Sequence, residues 1–234
     1  MMICSAFSGE LTGIVRSEDT KETIIEGHPV RLRILEKNME VAGAEVFTDK
    51  NGRYVFKDLK SLPSYSYIVS VDFEGVPYFQ GPYRFKNKTN KIICDPIEVF
   101  QSTTSLAQIS SIESVFIEVG RSDLMKIHYT IKLFNESDKA YAPFSPESEK
   151  YIIPLAKNGF DLELSDLLRN IFEVDEKIPA LILKAPLYPA KNRAYEIKFA
   201  YRLPYQKKNL EFDFTSGVAK RSFNLFINRP HLKV

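Results

Sequence analysis

No tryptophan occurs in the 234 residues, and cysteine and histidine are nearly as scarce, at 2 and 3. Two cysteines cannot make a disulfide-stapled scaffold, and Cys4 and Cys94 lie too far apart in sequence for any CxxC redox or zinc motif. They read either as unrelated thiols, Cys94 then being a small buried hydrophobe, or as a disulfide joining the first and last strands of a first domain in an oxidising compartment. The histidines stand apart from one another: His28 before a proline, His128 among lysines, His231 near the C-terminal end. None has a second histidine or a carboxylate at ligand spacing, so no metal is expected. A Walker loop, a dinucleotide-binding glycine pattern and a G-x-S-x-G elbow are all missing, and no cofactor is expected. Charge of one sign is missing too. A formal net charge of +2 gives no field to attract nucleic acid or an anionic membrane. The one basic cluster, Arg84 to Lys91, reads as the exposed rim of a hairpin. No apolar run approaches the roughly 20 residues that a membrane-spanning helix needs. The opening Met1 to Ser8 is apolar and rich in small residues but lacks a charged n-region; it has the composition of the tail of a signal peptide begun further upstream.

What the chain has in quantity is phenylalanine (17) and tyrosine (12), set in short runs with valine and isoleucine that suit half-buried strands. The 13 prolines and 10 glycines are scattered singly, which argues against low-complexity disorder. In the first half, Pro29 to Leu35 and Ser66 to Phe73 alternate apolar and polar residues, and Glu10 to Val15, Val41 to Phe47, Tyr78 to Phe85 and Ile92 to Phe100 read as further strands. Thr48-Asp49-Lys50-Asn51-Gly52-Arg53 reads as a hairpin turn. The Asp49 side chain accepts from backbone N–H groups two residues on, and Gly52 supplies a positive φ. Beyond the turn, Tyr54 and Phe56 take one face, Arg53 and Val55 the other.

Gln101 to Ser111 is polar, uncharged and weakly periodic, and reads as a linker whose last residues can already begin a strand. Beyond it the alternation is strongest. Met125, Ile127, Tyr129, Ile131 and Leu133 share one face of a strand, with Lys126, His128, Thr130 and Lys132 opposite; Arg193 to Leu203 repeats the pattern. Leu210 to Phe214 and Phe223 to Ile227 are further strands. Only Asp161 to Phe172 carries helical spacing, through Leu164, Leu167, Leu168 and Ile171. The expected class is all-β, with two β-sandwich domains in tandem over residues 9–101 and 112–234.

Carboxylates abound, as at Glu18-Asp19 and at Glu147 and Glu149, but they fall in turns and charge runs that solvation accounts for. A glycosidase would need two of them facing each other across a cleft, one with a raised pKa. The cluster with most of the composition of a contact surface is Tyr78, Phe79, Tyr83, Arg84 and Phe85, threaded between Pro77 and Pro82. The competing reading is that these aromatics feed the core.

Gly27-His28-Pro29-Val30, followed by Thr48-Asp49, Gly52-Arg53-Tyr54-Val55-Phe56 and Leu59, resembles the carboxypeptidase regulatory-like domains. These are seven-stranded transthyretin-like (prealbumin-type) sandwiches that are usually non-catalytic appendages of bacterial envelope proteins. The resemblance covers roughly residues 9–100. Gly75-Val76-Pro77-Tyr78, Val99 to Thr103 and Asn135 to Tyr141 are similar to stretches of bacterial exported proteins in which such a domain precedes an immunoglobulin-like sandwich. The resemblance implies a non-catalytic periplasmic or otherwise extracytoplasmic protein that engages an envelope protein or a glycan, attached to a membrane only through segments outside this sequence. Transthyretin-like folds also include hydroxyisourate hydrolases, whose C-terminal Tyr-Arg-Gly-Ser is not matched here. Tyr83-Arg84 is followed by Phe85-Lys86, and no histidine pattern accompanies it. The alternative of a different class is a hydrolase or carbohydrate-active accessory with a carboxylate cleft in the second domain.

Overall fold

A computed structural model describes residues 8–17, 26–86, 89–120, 124–175, 177, 179–189, 193–204, 214 and 216–228. Cys4, His231 and residues 210–213 of the strand expected before Phe214 lie outside them. The chain divides into two compact units between Gln101 and Ser102, and both are all-β.

The first unit holds β1 (Ser8–Ser17), β2 (Pro29–Glu36), β3 (Met39–Phe47), β4 (Arg53–Lys60), β5 (Tyr65–Phe73), β6 (Val76–Tyr83), β7 (Lys91–Ile93) and β8 (Ile97–Val99). One sheet runs β3-β2-β5-β6, antiparallel throughout; the other is built on β1, with β4 antiparallel on one side and β7 and β8 parallel on the other. β7 pairs with Glu10 to Thr12 and β8 with Val15 to Ser17, so the single strand expected over 92–100 is interrupted. Pro96, with no N–H to give the ladder, sits in the break. Alternation fixes the inner faces: Val30 and Leu32, Tyr67, Val69 and Val71 are buried on one sheet, and Leu11, Val15, Tyr54 and Phe56 on the other. The Tyr67 hydroxyl ties the layers by donating to the Lys60 carbonyl at 2.5 Å.

The expected hairpin at Thr48 to Gly52 is a corner instead. β3 pairs with β2 and β4 with β1, so the turn carries the chain from one sheet to the other. Asp49 Oδ1 accepts from the backbone N–H of Asn51 (2.8 Å) and of Arg53 (2.9 Å). These bonds, that from Arg53 foremost, hold the Asp49 carboxyl below the usual carboxylate range. The stability they contribute is therefore present above the ordinary aspartate pKa and is lost as pH falls through the lowered one. Gly52 closes the corner with φ 70°. Gly52→Ala should cost about 1–2 kcal/mol of unfolding free energy, read by urea denaturation, because a Cβ is strained in the left-handed region.

The second unit holds β9 (Ser102–Thr103), β10 (Ile109–Val119), β11 (Leu124–Asn135), β12 (Ala140–Tyr141), β13 (Ile152–Pro154), β14 (Phe160–Glu163), α1 (Asp166–Ile171), β15 (Phe172–Asp175), β16 (Ala180–Leu183), β17 (Tyr195–Pro204) and β18 (Ala219–Asn228). A five-stranded sheet, β14-β17-β11-β10-β18, faces a three-stranded one, β13-β16-β15, across a single apolar core. β18 lies parallel to β10; the other pairings in the large sheet are antiparallel. At the centre the Tyr129 ring stacks on Phe199 at 4.7 Å and 7°.

Two expectations are corrected here. Residues 101–111 are not a free linker. β9 pairs with β12, Leu106 and Ile109 enter the core, and the Glu149 carboxylate accepts from the Leu106 N–H at 2.5 Å. Uncharged Ser and Thr residues suit a linker by composition, but here their polar groups are bonded within the unit, which starts at Ser102 rather than at 112, and the last residues open β10 at Ile109. The helix is also shorter than the spacing predicts. Ser165 caps it by accepting from Leu168 N–H at 3.3 Å, and residues 160–163 pair with β17 instead. Leu167 is exposed, so one leucine of the pattern serves no core.

Candidate functional site

The aromatic cluster on and after β6 separates by strand alternation. Tyr78 is buried, and its hydroxyl donates to the Phe100 carbonyl (3.0 Å) and accepts from the Phe100 N–H (3.1 Å). Phe85 is buried with its ring against Gly9 and edge-on to Tyr67 at 5.4 Å. Tyr83 is half-buried, accepts from the Asp95 N–H at 3.2 Å, and is pushed up to about 12 by burial. Only Phe79 and Arg84 of the five are exposed. Tyr78 and Phe85 are thus corrected from contact residues to core residues, because both are turned inward. Cys94 beside Tyr83 and Tyr54 is a buried thiol raised to about 11 by burial, which leaves it inert as a nucleophile at neutral pH.

The second unit builds an open site. On the outer face of the large sheet the register aligns Ala200, His128, Phe116 and Phe226 on four adjacent strands. Phe116 and Phe226 are 39% and 56% exposed, and the Phe116 ring lies 5.9 Å from that of His128. The row on one side is Lys198, Thr130, Ser114 and Asn224, with Asn224 Nδ2 donating to Ser114 Oγ at 3.5 Å. The row on the other is Arg202, Lys126, Glu118 and Asn228. Lys126 is held by Glu163 at 2.8 Å, Arg202 lies 3.4 Å from Asp161, and His128 lies 3.8 Å from Glu118. Cations at the β17 side are therefore engaged. What remains around the two rings is an uncharged fringe of Ser114, Thr130, Asn224 and Asn228 with one carboxylate, Glu118. Apolar ring faces beside amide and hydroxyl groups that both donate and accept suit a ligand with alternating C–H and O–H surface.

Sequence alternation set His128 on the wet face but did not find Phe116 or Phe226. In Val115-Phe116-Ile117 three apolar residues run together, so no alternation marks the middle one as outward. Phe226 lies in a similar run. The signal that separates them is the pairing partner, which sequence does not state.

A polar cluster lies on the inner side of the same sheet. Glu113, 2% exposed, accepts from Ser111 Oγ at 2.9 Å and Ser216 Oγ at 2.5 Å, and pairs with Lys220 Nζ at 2.8 Å. The buried Tyr151 hydroxyl is pushed up by burial and by the Glu113 charge. A hydrolytic cleft would set a second carboxyl here. Glu113 faces a lysine and hydroxyls instead, an arrangement that satisfies a charge rather than one poised for proton transfer. Among the described residues no group of three His, Cys, Asp or Glu comes together to hold a metal ion, and no helix is long and apolar enough to cross a membrane.

No family model matches the chain, and no curated protein matches it. Among solved structures it is similar to the major pilin SpaD of Corynebacterium diphtheriae, with 13% identity, a TM-score of 0.30, and cover of 83% of this chain and 56% of that one. It is also similar to the major pilin subunit of Bacillus cereus (11%, TM-score 0.28, 88% and 62%) and to a minor pilin of Streptococcus agalactiae (11%, 0.28, 97% and 98%). The chain thus spans little more than half the length of the first two. Superposition at this level does not extend to function.

Proposed function

We propose that this chain is a non-catalytic binding or scaffold protein of the bacterial envelope, and that it holds a polysaccharide against the outer face of the large sheet in its second unit. The observation that carries the reading is the exposed Phe116–Phe226 strip with its fringe of Asn224, Asn228, Ser114 and Thr130. Sugar rings stack their C–H faces on aromatic rings, and their hydroxyls bond to amides and hydroxyls alongside. The first unit is read as a carboxypeptidase regulatory-like domain and the second as immunoglobulin-like. Counting the interrupted β7–β8 as one, the described residues of the first unit hold seven strands, a number that supports the regulatory-like reading. The extracytoplasmic location rests on that resemblance.

The test is co-sedimentation of the purified chain with insoluble bacterial cell-wall polysaccharide. Phe116→Ser and Phe226→Ser should each weaken binding about tenfold, the worth of one stacked ring. Phe79→Ser, at the exposed aromatic of the first unit, should leave it unchanged. Retention that depends on the protein content of the wall would favour a protein ligand, and no retention of the unaltered chain would sink the glycan reading.

A further inference from the structure

Beyond the face proposed for the ligand, β18 is the least guarded sheet edge among the described residues. The strand ends the five-stranded sheet, pairing with β10 on one side; among the described residues no strand pairs with the other. Its side chains are open on both faces, with Phe223, Leu225 and Ile227 exposed by 37%, 45% and 50% toward the inner side and Phe226 by 56% toward the outer. A long, apolar edge strand is a template for another strand, and proteins ordinarily guard such edges with charge, proline or brevity.

The other sheet edges among the described residues carry those guards. β3 presents Glu40 and Glu45, paired to Arg33 and Arg31. β4 carries Lys57, Asp58 and Lys60; β6 carries Pro77 and Pro82; β14 has four residues, Asp161 and Glu163 among them. From Ser222 to Asn228, β18 has no charge and no proline. Its two cations are already spent within the unit. Lys220 goes to Glu113, and Arg221 to Glu136 at 2.7 Å with its guanidinium 4.1 Å from the centre of the Phe134 ring.

We propose that β18 pairs antiparallel with β18 of a second copy of this chain about a two-fold axis at Asn224, joining two five-stranded sheets into one of ten. Residues facing each other in that register are Phe223 and Leu225, and Ser222 and Phe226, while Asn224 meets its own counterpart; the irregularity at Arg221 ends the regular ladder there. No charge faces a like charge, and the inner-side apolar residues cover one another. A two-fold axis normal to the sheet keeps inner face with inner face, as an isologous interface requires. Pairing through one strand buries less than a standard interface, so the association is weak, with a dissociation constant on the order of micromolar.

Sedimentation velocity of the full chain should show a monomer passing to a dimer across that concentration range. Leu225→Lys should weaken association more than about tenfold, because a charge enters the apolar edge. In a Cys4→Ser, Cys94→Ser background, Asn224→Cys should form an intermolecular disulfide on mild oxidation, whereas Asn228→Cys, which lies away from its own counterpart in that register, should not. A chain that stays monomeric throughout overturns the proposal, as does a dimer that Leu225→Lys leaves intact and Asn224→Cys fails to cross-link. Phe116→Ser separates the two readings, since it should weaken polysaccharide binding and still dimerise.

Discussion

Lys220→Met should cost the second unit about 3–5 kcal/mol of unfolding free energy, the penalty for leaving a buried charge unpaired. Glu113 sits on β10, a central strand, with its side chain 3% exposed, and Lys220 supplies the cation from β18 at 2.8 Å. Ser111 and Ser216 would still donate to the carboxylate, but hydroxyl dipoles do not replace a full positive charge. The ammonium also donates to the Phe214 carbonyl and lies 5.1 Å from the centre of the Phe223 ring, so its removal costs those contacts as well. Urea denaturation, followed by near-ultraviolet signals from the tyrosines, would read the loss. The control is the double variant Glu113→Gln, Lys220→Met. With no charge left to strand, it should be more stable than Lys220→Met alone. If the double variant is the less stable of the two, the pair contributes through shape rather than charge.

Tyr129→Ala is expected to cost about 3–5 kcal/mol, the range for truncating a large aromatic in a packed core. The ring is 4% exposed, stacks on Phe199 at 4.7 Å and lies 6.1 Å from Tyr201 and 6.4 Å from Phe214. It therefore joins β11, β17 and the chain leading to β18. Tyr129→Phe retains the stack and should lose about 1 kcal/mol, the worth of its hydroxyl's hydrogen bond. Thermal unfolding of both variants separates ring packing from the polar contact. A loss under 1 kcal/mol for the alanine variant would mean that the core collapses around the gap.

Sequence alternation carried the all-β class and the inner faces of β11 and β17, because one wet face and one buried face write themselves into a period of two. It gave the side assignment of Tyr54 and Phe56 for the same reason. It missed that β3 and β4 lie in different layers. A tight turn between two strands has the same local chemistry whether it closes a hairpin or rounds a corner, and only the pairing of β4 with β1 decides. Composition alone groups Tyr78 and Phe85 with Phe79, whereas alternation puts Phe79 on the opposite side from Tyr78. Phe116 and Phe226 escaped because their exposure depends on a parallel partner and a free edge, and neither leaves a mark within ten residues of sequence.

The parallel pairing of β18 with β10 has a consequence for the order of assembly. Ser110 of β10 meets Ala219, so during synthesis β10 and β11 are complete while one edge of β10 still waits for most of the remaining chain. Contacts so distant in sequence close slowly, and a strand waiting for its partner is open to the wrong one. The first unit meets a milder version, since β1 must wait for β7 and β8. A nascent chain halted before residue 219 should therefore present the edge of β10 to chaperones, with the buried Glu113 still lacking its lysine.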